Sequence, residues 1–360
     1  MPVNLLKLPF LVSGFVVTEL DYQELFLLSK CSRRTYYLVE KARITVPKIN
    51  FQFEKCDGYD TIVVKAGTDK GRFYITSVKH VSELDLEEVR NVEPGLDSET
   101  DKNIETWYEE EQSRYRNVTR FRHRIKRTSE PMAVQKETQD YINSIFHYSG
   151  THNLDISMEC EGPLPNIKNV KYLTIMDDAV DTQILTNVLE KYPDIRTLAV
   201  FSEIIGDIPN DSPLFQVQSL SVKPRCGPHF FHNFTGRNLW LICVTLTEQD
   251  IIQFLHKWIA NEAYHNLETA IIRAEPTFRI NQNLIRESIE FEEYDSEEPE
   301  KRPKSYISVD APFFYYPSPR AREAYPLRND EYVEIKRNTD GKRAFLAIYP
   351  GAVRFLVPKD

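Results

Sequence analysis

The chain has 360 residues and carries 45 basic against 54 acidic side chains, a formal charge of −9. At about 150 residues per domain it is long enough for two or three units, and its 41% hydrophobic and 28% charged residues exclude a collagen-like or largely disordered chain. Only 12 glycines argue against an enzyme built on several glycine-rich phosphate loops, and the acidic balance argues against a protein that coats nucleic acid along its whole surface.

Residues 1–43 read as three short helices. Leu5, Leu6 and Leu8 precede Pro9, and Phe10, Leu11, Phe15 and Val16 follow it. The apolar stretch Leu8–Val17 lacks the basic flank and small-residue cleavage site of a signal peptide. Asp21 and Glu24 have capping-box spacing for a second helix carrying Leu25, Phe26 and Leu28. Ser32 starts a third, with Arg33, Arg34, Lys41 and Arg43 on its polar side. From residue 44 the period changes to two. Ile49, Phe51 and Phe53 mark one strand, Thr61–Lys65 and Arg72–Val78 two more, and Gly67–Gly71 the loop between them, which makes a small β-meander.

Residues 83–111 hold twelve acids and two bases, and Asn91–Asp101, with Pro94, Gly95 and Ser98, reads as a linker. A long helix is expected from Asp101, with Ile104, Trp107, Tyr108, Tyr115 and Val118 near one side. Its acidic first half and basic second half suit the helix macrodipole.

A repeat begins near residue 141. Val170–Ile175 matches Ile195–Val200, Val217–Val222 and Leu239–Val244, with a looser copy at Leu267–Ile272. Leu154, Ile156 and Met158 mark an earlier strand, and helical periods fall at Thr182–Lys191 and Glu248–Ile259. Strand plus helix or loop at a spacing of roughly 20–29 residues is a leucine-rich-repeat pattern, in which each strand is covered only by stacking on the next. The irregular spacing leaves a plain doubly wound α/β domain as the alternative. Residues 290–304 read as an acidic, then Pro/Lys-rich, exposed loop. Tyr332–Ile335 and Ala344–Ile348 flank Asp340-Gly341 as a hairpin, and Val353–Val357 is a final strand.

Chemical motifs are scarce. No P-loop, dinucleotide-binding, H-E-x-x-H or G-x-S-x-G pattern occurs. The five cysteines are widely spaced with no C-x-x-C pair, which reads as reduced thiols in a cytoplasmic or nuclear protein. Cys226, His229 and His232 lie within seven residues but miss every standard zinc spacing, so no metal and no cofactor are expected. Asp177, Asp178 and Asp181 follow a strand and read as helix-starting residues. Arg114–Arg127 holds seven Arg/Lys interleaved with Tyr115, Phe121 and His123, a phosphate-gripping composition, but the acids just before it compete for the same bases. No run approaches the roughly 18–20 apolar residues that span a bilayer.

The N-terminal run Leu5-Leu6-Lys7-Leu8-Pro9-Phe10-Leu11-Val12, followed by Leu20-Asp21, Glu24-Leu25, Leu27-Leu28-Ser29 and Cys31-Ser32-Arg33-Arg34, resembles an F-box. The remainder resembles nematode proteins that join an F-box to an F-box-associated type 2 domain. Phe234-Thr-Gly236-Arg237-Asn238-Leu239, Val244–Thr247, Lys257-Trp258-Ile259 and the closing Ile335–Arg337 and Asp340-Gly341 carry that similarity. The fold class it implies is α+β, in three parts. These are a three-helix F-box over residues 1–43, a β-meander with acidic linker and charged helix over 44–140, and an irregular leucine-rich-repeat-like α/β domain over 141–360.

The resemblance implies a non-enzymatic substrate receptor of a Skp–cullin–F-box ubiquitin ligase. A Skp-type adaptor of a cullin-RING ligase would dock on Leu5, Leu6, Leu8, Pro9, Phe10, Leu11, Phe15, Leu25, Leu28, Cys31 and Arg33, and a protein target would be held by the C-terminal domain. So many large apolar residues exceed what a 40-residue helical segment buries alone. Three candidate target-binding surfaces stand out: the repeat strands, the Cys226–His232 loop and the aromatic Phe313–Tyr316. Other functions stay open: an interaction scaffold whose F-box-like segment is only part of its core, a nucleic-acid binder using residues 114–127, and an enzyme without a local sequence motif.

Overall fold

The computed structural model describes residues 5–56, 58–68, 71–81, 105–112, 119–126, 131–148, 150–160, 162–223, 225–293, 303–306, 325–327 and 331–358. The chain divides into two units, residues 1–171 and 172–360, each with helices and both parallel and antiparallel strand pairs. The linker at 91–101 and the aromatic Phe313–Tyr316 lie outside the described residues, as does most of the 290–304 loop.

In the first unit the three expected helices are present: α1 (Phe10–Thr18), α2 (Tyr22–Cys31) and α3 (Arg33–Ala42). Asp21 Oδ1 accepts from the Glu24 amide at 2.7 Å while the Asp21 amide donates to Glu24 at 2.9 Å, so the predicted capping box starts α2. Ser32 Oγ accepts from the Thr35 amide at 3.1 Å and starts α3. Beyond the short β1 (Thr45–Val46), the meander is β2 (Lys48–Cys56), β3 (Tyr59–Thr68) and β4 (Gly71–Val81), paired antiparallel. Ile49, Phe51 and Phe53 stand opposite Ala66, Val64 and Ile62, and all six are buried.

The expected charged helix is instead two antiparallel strands, β5 (Glu105–Gln112) and β6 (Thr119–Lys126). Arg120, Arg122, Arg124 and Lys126 alternate with Phe121, His123 and Ile125, and that period of two prevails over the charge asymmetry. Helix α4 (Pro131–Ile145) was not anticipated, although Val134, Thr138, Ile142 and Ile145 have helical spacing and are buried. After β7 (His147–Tyr148), which pairs parallel with β1, β8 (His152–Ile156) joins β2 in parallel and gives the order β8-β2-β3-β4-β6-β5.

In the second unit β9 (Val170–Ile175), β11 (Thr197–Val200), β13 (Ser219–Val222), β14 (Asn238–Val244) and β15 (Thr269–Ala274) lie side by side, all parallel. A short parallel ribbon of β10 (Ala179–Asp181) and β12 (Glu203–Ile205) stands apart from that sheet. From β9 to β15 the strand order follows the chain, without the reversal that a doubly wound sheet shows at its switch point. Leu173, Leu198, Leu220, Leu239 and Ala270 are aligned across it. The sequence repeat had this phase in four copies. In the fourth, Leu239 rather than Ile242 takes the central position, a shift of three residues.

Helices α5 (Thr182–Lys191) and α7 (Glu248–Ile259) span the predicted ranges, with the short α6 (His229–His232) between them. On one face of the sheet, Phe254 and Trp258 of α7 both lie 5.1 Å from the ring of Phe355. Phe355 belongs to β20 (Ala352–Leu356), which pairs antiparallel with β15. Beyond it come β19 (Arg343–Tyr349) and β18 (Val333–Lys336), the predicted terminal hairpin. The alternate positions Phe345, Ala347 and Leu356 pack with Leu327, Tyr332 and Tyr306 in a second cluster, Tyr306 coming from β16 (Ser305–Tyr306), which pairs antiparallel with β17 (Tyr325–Pro326).

The shifted fourth copy depends on Gly236. A Cβ there would collide with the Val217 carbonyl and the Phe234 ring, because Thr235 and Arg237 donate to Phe215 and Gln218 on either side of Val217. Gly236→Ala is expected to destabilise the second unit by about 2–3 kcal/mol, an overpacking cost. Urea denaturation checks it, and an unchanged midpoint would show that the close approach is not required.

Candidate functional site

Helix α1 has no polar face. Its nine residues include only two with hydroxyls and none with charge. Ser13 turns inward, its hydroxyl within hydrogen-bonding distance of the Leu5, Leu8 and Pro9 carbonyls at 3.2, 3.3 and 3.1 Å, which ties the preceding turn of Leu5–Lys7 to the helix. Thr18 donates to the Phe15 carbonyl at 2.8 Å. Ser13 and Val17 are buried, whereas Leu11 and Phe15 are 74% and 73% exposed, with Val12 at 44% and Val16 at 41%. Positions 11, 12, 15 and 16 form one stripe on a helix, so the outer side of α1 is a continuous apolar surface. Leu6, also exposed, extends it.

The residues expected to bind an adaptor separate into groups. Leu6, Pro9, Leu11, Phe15, Cys31 and Arg33 are exposed, and Leu5, Leu8 and Leu28 are half-buried. Leu25 is 1% exposed, so it belongs to the core and not to the exposed surface. The side chain of Phe10 lies outside the described residues. Val12 and Val16 were missed. Their spacing of four from each other, and of one from Leu11 and Phe15, was the available signal.

Helix α2 is anchored in the first unit. The Phe26 ring lies 5.8 Å from Tyr141 on α4, and the hydroxyls of Ser29 and Tyr141 are 2.8 Å apart. Tyr22 packs edge-on to Phe146 at 6.0 Å and against Phe73 of β4 at 6.2 Å. Lys30 places its ammonium 3.4 Å from the centre of the Tyr141 ring. Burial pushes the Lys30 amine down to about 8, against the opposing influence of Glu137.

The other candidates do not assemble into sites. Cys226, His229 and His232 diverge. The His229 ring lies 4.5 Å from Phe230, and His232 Nε2 is 3.3 Å from the Asp250 carboxylate. Asp250 is itself held in the capping box of α7 by Thr247. Asp181 starts α5 by accepting from the Gln183 amide at 2.7 Å. No group of metal-holding side chains occurs among the described residues. Of the basic window, residues 119–126 form β6, where Arg120, Arg122 and Lys126 stand opposite Glu111, Glu109 and Glu105 of β5. Residues 114–118 and 127 lie outside the described residues. No described helix is long and apolar enough to cross a membrane. No family model matches the chain, and neither a curated protein nor a solved structure matches it.

The lowered amine of Lys30 makes stability depend on pH. Between about 8 and about 10.5 the unfolded chain keeps a proton that folded Lys30 has released, so raising the pH through this window favours the folded state. Comparing the native chain with Lys30→Met by urea denaturation at pH 7, 8.5 and 10 should show the difference moving in favour of the native chain as pH rises. A difference independent of pH would place Lys30 in a more solvated setting.

Proposed function

We propose that the chain is the substrate-recognition subunit of a Skp–cullin–F-box ubiquitin ligase, docking a Skp-type adaptor through its N-terminal helices and holding a protein target through its second unit. It works by proximity. Ubiquitin transfer belongs to other subunits, and this chain catalyses no step of it. The observation that carries this reading is the apolar outer side of α1, set among three short helices whose sequence resembles an F-box. Fully burying a Leu or Phe side chain is worth roughly 1.5–3 kcal/mol, so covering Leu11 and Phe15 alone supplies a substantial part of a micromolar affinity. For target holding, the support is the parallel strand stack. Its central positions recur at 25, 22, 19 and 31 residues, as in an irregular leucine-rich-repeat-like domain.

A second reading is an interaction scaffold that uses no adaptor. It is favoured by the clamp of Phe26, Ser29 and Lys30 on Tyr141, which makes α2 part of the first unit's own core. Deleting residues 1–43 therefore removes core as well as surface and does not separate the two readings. A nucleic-acid role for residues 114–127 is disfavoured by the acids that stand in register opposite the bases of β6.

Calorimetric titration of the full chain with a purified Skp-type adaptor separates the readings. Binding at micromolar or tighter affinity is expected. The double substitution Leu11→Asp/Phe15→Asp should weaken it at least about 100-fold while leaving the melting temperature nearly unchanged, because both side chains are exposed. Leu25→Ala should cost about 2–4 kcal/mol of stability instead. No binding by the native chain at about 100 μM would overturn the adaptor reading, and so would equal binding by the double variant.

A further inference from the structure

Two cysteines of the second unit lie close together, Cys226 in an isolated bridge and Cys243 next to its bridge partner on β14. Cys226 forms a parallel bridge with Val244, and the Thr245 amide donates to the Cys226 carbonyl at 3.0 Å. Cys243 is thus one residue from the position opposite Cys226. A spacing of about 4.8 Å across the bridge and about 3.8 Å between consecutive α-carbons, taken at right angles, put the two α-carbons about 6 Å apart, inside the roughly 4.4–6.8 Å range of disulfides.

In a regular strand, Val244 and Cys243 would point to opposite faces and the two thiols would be kept apart. This strand is not regular there. The pairing of β14 with β15 slips between Ile242 and Val244, and Cys243 has φ 59°, a left-handed conformation that costs a residue with a Cβ about 1–2 kcal/mol. An irregularity of this kind re-aims a side chain. Both thiols are free; Cys226 is buried and Cys243 half-buried. Burial, together with the neighbouring Cys243, pushes the Cys226 thiol up to about 12, so it stays protonated and inert by itself.

We propose that Cys226 and Cys243 are an oxidisable pair that closes to an intrachain disulfide when a peroxide reaches the more accessible Cys243. In the first step the Cys243 sulfur attacks one peroxide oxygen. The O–O bond breaks, the sulfur is oxidised to a sulfenic acid and the peroxide is reduced to water. In the second step the Cys226 sulfur attacks the sulfenic sulfur. An S–S bond forms, the S–O bond breaks, and the departing hydroxide takes the Cys226 proton to leave as water. The closed loop contains α6 with the buried Phe230 and Phe231, together with Phe234 and Gly236. Oxidation therefore pins the segment between β13 and β14 and restricts the unfolded chain.

The test uses the full chain carrying Cys31→Ser, which removes the exposed thiol of the first unit. The protein is treated with hydrogen peroxide, its remaining thiols are blocked, and non-reduced peptides are mapped by mass spectrometry. A peptide pair linked through Cys226 and Cys243 is expected, together with a raised melting temperature, both reversed by dithiothreitol. Cys226→Ser should leave Cys243 as a sulfenic or sulfinic acid with no linked peptide. The proposal is overturned if the native pair gives over-oxidised Cys243 with Cys226 still blockable, if either cysteine links elsewhere, or if both remain unoxidised while the peroxide is consumed.

Discussion

A strand four to seven residues long has to be covered on both faces, and its own length of chain cannot do it. In the second unit all four residues of β11 and all four of β13 are buried, which is possible only because each has a parallel neighbour on either side and a layer above and below. Leu198, Val200, Leu220 and Val222 alternate with the small Ala199, Ser219 and Ser221. The hydroxyl of Ser219 accepts from the Asn238 side chain at 3.0 Å, which fixes β14 in register where hydrophobic pattern alone is ambiguous. At the far end of the sheet, α7 covers one face through Phe254 and Trp258, and the cluster around Tyr306 and Tyr332 covers the other.

The first unit meets the same requirement and leaves a remainder. Its apolar β2 and β3 positions are buried, and α2 and α4 are locked together by Tyr141. Helix α1 contributes Ser13 and Val17 inward, and among the described residues its other side is exposed. A helix that is apolar all round belongs in a core or an interface. Here the sequence is built for burial on every side, yet four of its large side chains remain in contact with solvent. That mismatch supports reading α1 as one half of a contact completed by another protein.

Much of this was legible in the residues. Asp21 with Glu24, Ser32 and Asp181 announced helix starts through chemistry that acts locally, and Asp340-Gly341 announced the last hairpin. Thr182–Lys191 and Glu248–Ile259 showed their periods undisturbed. The misreadings share a cause, in that two local signals competed. The run Leu239–Val244 is apolar at every position, so its pattern carries no phase, and Gly236 and Asn238 set the register through contacts far away in sequence. In residues 105–126 a charge gradient suited to a helix masked the alternation of a strand. For α1 the apolar content was plain, but which of its sides the rest of the chain covers depends on tertiary packing. So Leu25 was grouped with residues that face outward, and Val12 and Val16 were passed over.

The central claim is that the outer side of α1 is the surface on which an adaptor closes. Hydrogen–deuterium exchange of the full chain, with and without a saturating Skp-type adaptor, reads that surface directly. Slowed exchange over Leu11–Thr18 with α7 unchanged is the result the account predicts. Saturated binding with no change in α1 would contradict it.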